Sequence, residues 1–167
     1  MAVIYISVGS NIERHKHIVA GLDAMAAVFD NLRLSPVYES KAVGFEGSDF
    51  YNLVVEAHTA LSIADVVAEL KRIEDNNGRV RGGKKFAPRT LDLDLLLYDD
   101  VVCEEPIELP RDEILHNAFV LLPLCDIAPA LIHPLTGQSM ADMWHAYDKQ
   151  KQQLWAIPFA WQQAEVG

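Results

Sequence analysis

Leu91-Asp92-Leu93-Asp94-Leu95-Leu96-Leu97-Tyr98 places leucine at positions 91, 93, 95 and 97 and aspartate at 92 and 94. Alternation of period two predicts a strand with one apolar face and both carboxylates on the other. What precedes this strand decides the fold. Residues 3–8 (Val-Ile-Tyr-Ile-Ser-Val) read as a buried strand. It is ended by Gly9-Ser10-Asn11, where glycine permits a tight turn and Ser10 or Asn11 can cap a helix. From about 14 to 29, Ile18, Leu22, Met25, Ala26 and Phe29 recur at helical spacing, with one buried face. Residues 32–39 read as a strand whose Pro36 suits an edge or a bulge. The stretch 40–49 has two glycines, no period and an exposed Phe45, as in a loop able to act as a lid. Residues 50–57 return to strand composition. Ser62 with Asp65 resembles a capping box opening a helix whose apolar face is Ile63, Val66, Val67, Leu70 and Ile73. Asn76-Asn77-Gly78 is its stop signal.

The strand at 91–98 therefore completes the order βαββαβ. Two layers in that order predict an α+β, ferredoxin-like sandwich, an antiparallel sheet covered on one face by two helices. Beyond it, 119–127 and 139–147 read as short helices, and His133-Pro134 with Gly137 marks turns. Trp155, Phe159 and Trp161 pack the tail onto the body. With no repeat or linker, residues 1–167 are expected to be a single domain, its core about 3–130 and its helical and strand extension 131–167.

The 167 residues hold 14 Lys and Arg against 24 Asp and Glu, a net charge of −10. A chain this acidic is repelled by nucleic-acid phosphates and by anionic lipid, so no nucleic-acid or membrane partner is expected. There is no long apolar run, and Met1 leads directly into the first strand without a basic leader; the expected address is the cytoplasm. Cys103 and Cys125 lack metal or redox spacing and read as reduced, packing thiols.

Positive charge is nonetheless concentrated. Arg79, Arg81, Lys84, Lys85 and Arg89, five of the 14 cations, sit between Gly78 and Thr90 with no acid among them. Beside a glycine pair, such a cluster suits the grip of a loop on a polyphosphate. The two aspartates that follow share one strand face, their Cα atoms roughly 6.5–7 Å apart. Like charges so placed repel, and a hard cation relieves the repulsion: Mg²⁺ is typically held by one or two carboxylates plus substrate phosphate oxygens. Either motif alone is more often a solvated face; their adjacency points to metal-assisted phosphoryl-type transfer. His15 and His17 diverge on a helix and read as surface or cap residues, and the remaining histidines lack ligand spacing. No Walker loop, Gly-x-Gly-x-x-Gly or Gly-x-Ser-x-Gly is present.

Gly78-Arg79-Val80-Arg81, followed after five residues by Ala87-Pro88-Arg89-Thr90-Leu91-Asp92-Leu93-Asp94, resembles the signature of the 6-hydroxymethyl-7,8-dihydropterin pyrophosphokinases. The resemblance extends to Gly9-Ser10-Asn11, Val37-Tyr38-Glu39-Ser40, Phe50-Tyr51-Asn52, Ile73-Glu74, Phe119 to Leu124 and Ile127-Ala128-Pro129, covering about residues 3–130. It implies an enzyme that moves pyrophosphate from ATP to the hydroxymethyl oxygen of the dihydropterin, leaving AMP, in folate biosynthesis, with two Mg²⁺ ions. By motif position, Asp92 and Asp94 resemble the metal ligands and Arg79 and Arg89 the catalytic arginines. Glu74, Arg81, Lys84, Lys85, Leu95 and Arg111 fall at the ATP site, and Ser40, Val43, Phe50, Asn52 and Phe119 at the pterin site. A monomer or weak homodimer is expected.

The chain departs from the family pattern at four places. Phe86 replaces a tryptophan, Pro110-Arg111-Asp112 replaces a Pro-His step, Asn117 replaces an arginine, and Ser40-Lys41-Ala42 replaces Thr-Pro-Pro. Two other readings compete: a paralogue that binds pterin or nucleotide without efficient transfer, and an RNA-binding module of the same fold, which would need a basic surface.

Overall fold

The strand predicted over 3–8 runs from Ala2 to Ser10 (β1) in the computed structural model, which describes residues 1–40, 49–78, 90–150 and 153–161. Ile4, Ile6 and Val8 pack on one side of the sheet and Tyr5 on the other, so both faces are buried and the sequence is an apolar run. The order continues with α1 (Arg14–Val28), β2 (Asp30–Leu34), β3 (Val37–Ser40), β4 (Phe50–Thr59), α2 (Ile63–Asn76) and β5 (Asp92–Tyr98). After these come α3 (Glu113–His116), α4 (Ala118–Ile127), α5 (Met140–Ala146) and β6 (Leu154–Ile157). The antiparallel sheet has the order β5-β1-β4-β3-β6, with β2 also paired to β4.

Pro36 divides the expected strand 32–39 into β2 and β3. Proline has no N–H for a ladder, and Ser35 bridges the gap. Its backbone N–H donates to the Val54 carbonyl at 2.9 Å, while its Oγ accepts from the Val54 N–H at 2.9 Å.

The cap expected from Ser10 or Asn11 does not form. The chain turns for longer, and α1 starts after Glu13, which has left-handed backbone (φ 42°) and makes no side-chain cap bond. Ser10 Oγ instead donates to the Ile12 carbonyl, and His17 Nδ1 lies 2.6 Å from the same oxygen. The second helix follows expectation: Ser62 Oγ accepts from Asp65 N–H at 3.2 Å, Val66, Leu70 and Ile73 are buried, and Gly78 follows the end with φ 80°.

Two further expectations are corrected. Leu97 does not share a face with Leu91, Leu93 and Leu95. A bulge in β5, where Leu95 pairs with Ile6 but Leu97 with Tyr5, turns Leu96 and Leu97 into the opposite core. The sheet is also covered on both faces. Helices α1 and α2 pack on Ile4, Ile6, Val8, Leu53, Val55, Leu93 and Leu95. On the other face, Ile114, Val120, Leu121, Leu124, Met140 and Met143 from α3, α4 and α5 bury Tyr5, Val54, Leu96 and Leu97. The tail packs in part as expected and also adds a strand: β6 pairs with β3, Phe159 rests on the first core, and the Trp161 ring is buried in it with its Nε1 donating to Asp23 Oδ1 at 2.8 Å, whereas Trp155 is 41% exposed. Among the described residues no helix is long and apolar enough to cross a membrane, and Cys103 and Cys125 carry free thiols.

Candidate active site

Asp92 and Asp94 lie at the start of β5, on the sheet face that also carries Tyr5 and Leu97. Their direction follows from the alternation that buries Leu91, Leu93 and Leu95 on the other face. Register extends this into a row across four strands: Asp92 pairs with Gly9, Gly9 with Asn52, and Asn52 with Tyr38. Directly paired residues of antiparallel strands share a face. Gly9 therefore belongs to the strand, not to the tight turn expected for it. Its lack of a side chain is required by a close approach, since a Cβ there would stand 2.7 Å from Asn52 Oδ1.

Asn52 leans over Gly9 and its Nδ2 donates to Ser40 Oγ at 3.2 Å; both residues are buried. Ser40 pairs with Phe50 at the end of β3 and β4. Three residues expected at one subsite, Ser40, Phe50 and Asn52, are thus assembled on one patch. Phe119 lies in the first turn of α4, the helix covering this same face, and packs against the core beneath it.

The open edge of β5 forms the second half of the site. A groove of about 190 Å³ is lined by Leu70, Lys71 and Glu74 of α2, by Asp92, Asp94 and Leu95 of β5, and by Arg111. Glu74, only 5% exposed, accepts the outward-facing Leu93 N–H on its Oε2 at 2.7 Å. Because hydrogen-bonding direction alternates along a strand, Leu95 turns its backbone groups toward the same edge. Arg111 is brought to β5 by its own N–H, which donates to the Leu96 carbonyl at 2.9 Å. Its Nη2 lies 3.4 Å from Asp94 Oδ1 and 2.9 Å from Glu113 Oε1. Glu113 carried no signal in the sequence: it enters the site only because α3 begins beside this arginine.

Burial pushes the Asp94 carboxyl up to about 6; Arg111 pulls it down, while Asp92, Glu113 and Glu74 push it up. Burial also opposes the charge on Arg111, but Asp94 and Glu113 outweigh it and hold the guanidinium above its ordinary range. Among the described residues, Glu74, Asp92, Asp94 and Glu113 gather around Arg111, and carboxylates so grouped suit a hard cation. Among the described residues no group of three or more His, Cys, Asp or Glu is arranged around a common metal position. Two carboxylates on one strand face suit Mg²⁺, which keeps waters and takes phosphate oxygens as its remaining ligands. The residues present therefore fit the ion expected from the sequence.

Arg79, Arg81, Lys84, Lys85, Arg89 and Val43 lie outside the described residues. The structure thus brings together Glu74, Asp92, Asp94, Leu95 and Arg111 in one groove and Ser40, Phe50 and Asn52 in one patch, joined through Gly9.

The family model described as 7,8-dihydro-6-hydroxymethylpterin-pyrophosphokinase matches residues 5–129. A 2-amino-4-hydroxy-6-hydroxymethyldihydropteridine pyrophosphokinase of Aquifex aeolicus is 34% identical over 138 residues, 81% of this chain and 86% of the relative. The protein of the same name from Pseudomonas aeruginosa is 37% identical over 136 residues, 78% of this chain and 83% of the relative. Among solved structures, Plasmodium falciparum HPPK-DHPS with SDX-DHP superposes with a TM-score of 0.67 at 13% identity, over 87% of this chain. That likeness concerns the fold alone, and this chain spans 43% of the length of that one.

Proposed function

The chain belongs to the 7,8-dihydro-6-hydroxymethylpterin-pyrophosphokinase family and is a pyrophosphokinase; from that premise we propose that it transfers pyrophosphate from ATP to 6-hydroxymethyl-7,8-dihydropterin, releasing AMP, in folate biosynthesis. The observation that carries this reading is the row Asn52–Gly9–Asp92, which sets an amide-lined patch one strand away from an acidic groove. A flat heterocycle with a hydroxymethyl arm and a polyphosphate would meet across that strand.

In this reading Asn52, steadied by Ser40, hydrogen-bonds the pterin, and Phe50 and Phe119 hold its ring, with Val43 contributing from the adjoining stretch. The nucleotide takes the groove at the β5 edge. The backbone of Leu95 and the Glu74 wall receive its base, while Arg111 turns from Asp94 toward a phosphate. Arg81, Lys84 and Lys85 add charge along the polyphosphate, and Arg79 and Arg89 steady the group in transit. Asp92 and Asp94 would hold two Mg²⁺ ions, which when bound supply neutralisation of phosphate charge. The hydroxymethyl oxygen forms its bond to the β-phosphorus and gives up its proton to solvent as the bond from that phosphorus to the α,β-bridging oxygen breaks, so that AMP departs. We read the core as a ferredoxin-like domain acting in the cytoplasm as a monomer or weak homodimer, without a nucleic-acid or membrane partner.

The ion pair between Arg111 and Asp94 favours one second reading, a member that binds its ligands but transfers slowly. A coupled assay following AMP separates the two. AMP formation that requires both the dihydropterin and Mg²⁺ supports the first reading; dihydropterin binding with negligible AMP supports the second. No binding and no AMP would overturn both.

A further inference from the structure

Behind the patch formed by Ser40, Phe50 and Asn52, the opposite face of the same strands carries Glu39 and Tyr51, which are register partners. Arg14, the first residue of α1, engages both. Its Nη1 donates to Glu39 Oε2 at 2.5 Å, and its guanidinium stands 3.9 Å above the Tyr51 ring centroid. The same nitrogen donates to the Asp49 carbonyl at 3.0 Å, the residue before Phe50. The other carboxylate oxygen of Glu39 is taken by the tail: Trp155 Nε1 donates to Oε1 at 3.1 Å, and Trp155 is the β6 partner of Glu39. The side chains of Arg14 and Glu39 are 26% and 20% exposed, and each makes more than one contact. This sets them apart from an isolated surface ion pair.

Adjacent residues of a strand point to opposite faces, so holding positions 39, 49 and 51 sets the directions of 40, 50 and 52. We infer that Arg14, together with Glu39 and the tail residue Trp155, positions the pterin half of the site, making β6 a structural part of substrate recognition. The tail lies beyond residues 5–129, the part of the chain that matches the family. The groove at the β5 edge has no residue in this network. Disturbing the network is therefore expected to weaken the pterin and spare the nucleotide. The inference rests on the reading that Ser40, Phe50 and Asn52 receive the pterin.

The test compares the full chain with Arg14→Ala, Arg14→Lys, Trp155→Phe and the Arg14→Ala/Trp155→Phe double variant. Titrations with 6-hydroxymethyl-7,8-dihydropterin and, separately, with α,β-methylene-ATP and Mg²⁺ give the two affinities, and initial rates give KM for each substrate. Arg14→Ala is expected to raise the pterin Kd and KM about tenfold, with nucleotide affinity changed by less than about twofold. Arg14→Lys, which keeps the charge but loses the planar fork, should fall between it and the unmodified chain. Trp155→Phe should cost about threefold, and the double variant should lose less than the product of the two single effects, because the two residues share Glu39; fully multiplicative losses would show that they act independently and would remove Trp155 from the network. Unchanged pterin affinity in Arg14→Ala overturns the inference, as does a parallel loss of nucleotide affinity. If that variant does not fold, unchanged pterin affinity in both Arg14→Lys and Trp155→Phe overturns it equally. Failure of the unmodified chain to bind dihydropterin would refute the functional reading itself; tight binding there with indifferent variants refutes only the positioning role.

Discussion

At Gly9 the chain omits a side chain where Asn52 needs the space. Gly9→Ala is expected to turn Asn52 away from Ser40, lower stability by about 1 kcal/mol in urea unfolding, and raise the dihydropterin Kd about tenfold. An unchanged Kd would remove Asn52 from pterin recognition. Asp94 behaves differently. Its carboxyl is raised to about 6, so its contribution to folding is present in acid and lost as pH rises through that value. Asp94→Ala should accordingly melt no lower than the unmodified chain at pH 7.5, while it and Asp92→Ala each lower AMP formation by about 100-fold or more. Wild-type-like rates in both variants at limiting Mg²⁺ would end the metal assignment. The aspartate pair was legible because two-residue spacing alone sets its facing; the purpose of Gly9 was not, because a turn and a close approach call for the same residue.

Among the elements, α2 and β5 are tied by a buried carboxylate: Glu74 accepts the Leu93 N–H at the sheet edge. Glu74→Ala leaves that donor without its acceptor and should cost about 1–3 kcal/mol, whereas Glu74→Gln keeps an acceptor and should recover most of it. Faster hydrogen exchange at the Leu93 amide in the alanine variant is the local readout. The turn between α4 and α5 depends on His133, which is 1% exposed and accepts the Leu135 and Thr136 N–H groups on Nδ1, both at 3.2 Å. Burial holds its pKa below the ordinary 6.5. The neutral ring's contribution is therefore complete above about pH 6.5 and is lost as pH falls through the depressed value. Melting curves between pH 7.5 and 5 should drop more steeply for the unmodified chain than for His133→Asn, which preserves an acceptor without titrating. Equal slopes would show that His133 does not govern acid sensitivity. The Ser62 cap and the Gly78 stop could be read in advance because they are local. The bulge at Leu96 could not, since it exists only relative to β1.

For the molecule as a whole, the sheet is enclosed from both sides, and the tail closes the assembly across β3 and α1. Trp161 is 5% exposed in the core that α1 shares with the sheet. Trp161→Ala should destabilise the chain by about 3 kcal/mol, read as a lower urea midpoint, with nucleotide affinity retained. A shift within about 0.5 kcal/mol would show that the tail rests on the body without supporting it. The order of the main strands and helices apart from the split at Pro36 and the added β6, the apolar faces of α1 and α2, the facing of Asp92 and Asp94 and the concentration of cations before them follow from neighbours in the chain. Periodicity and caps are local physics, so one dimension suffices for them. Which residues stand beside them was decided by the tertiary structure: Asn52 over Gly9, Arg111 on Asp94, Glu39 shared by Arg14 and Trp155. Such partners lie far apart in the chain and meet through strand register and helix docking, which a single strand's alternation leaves open.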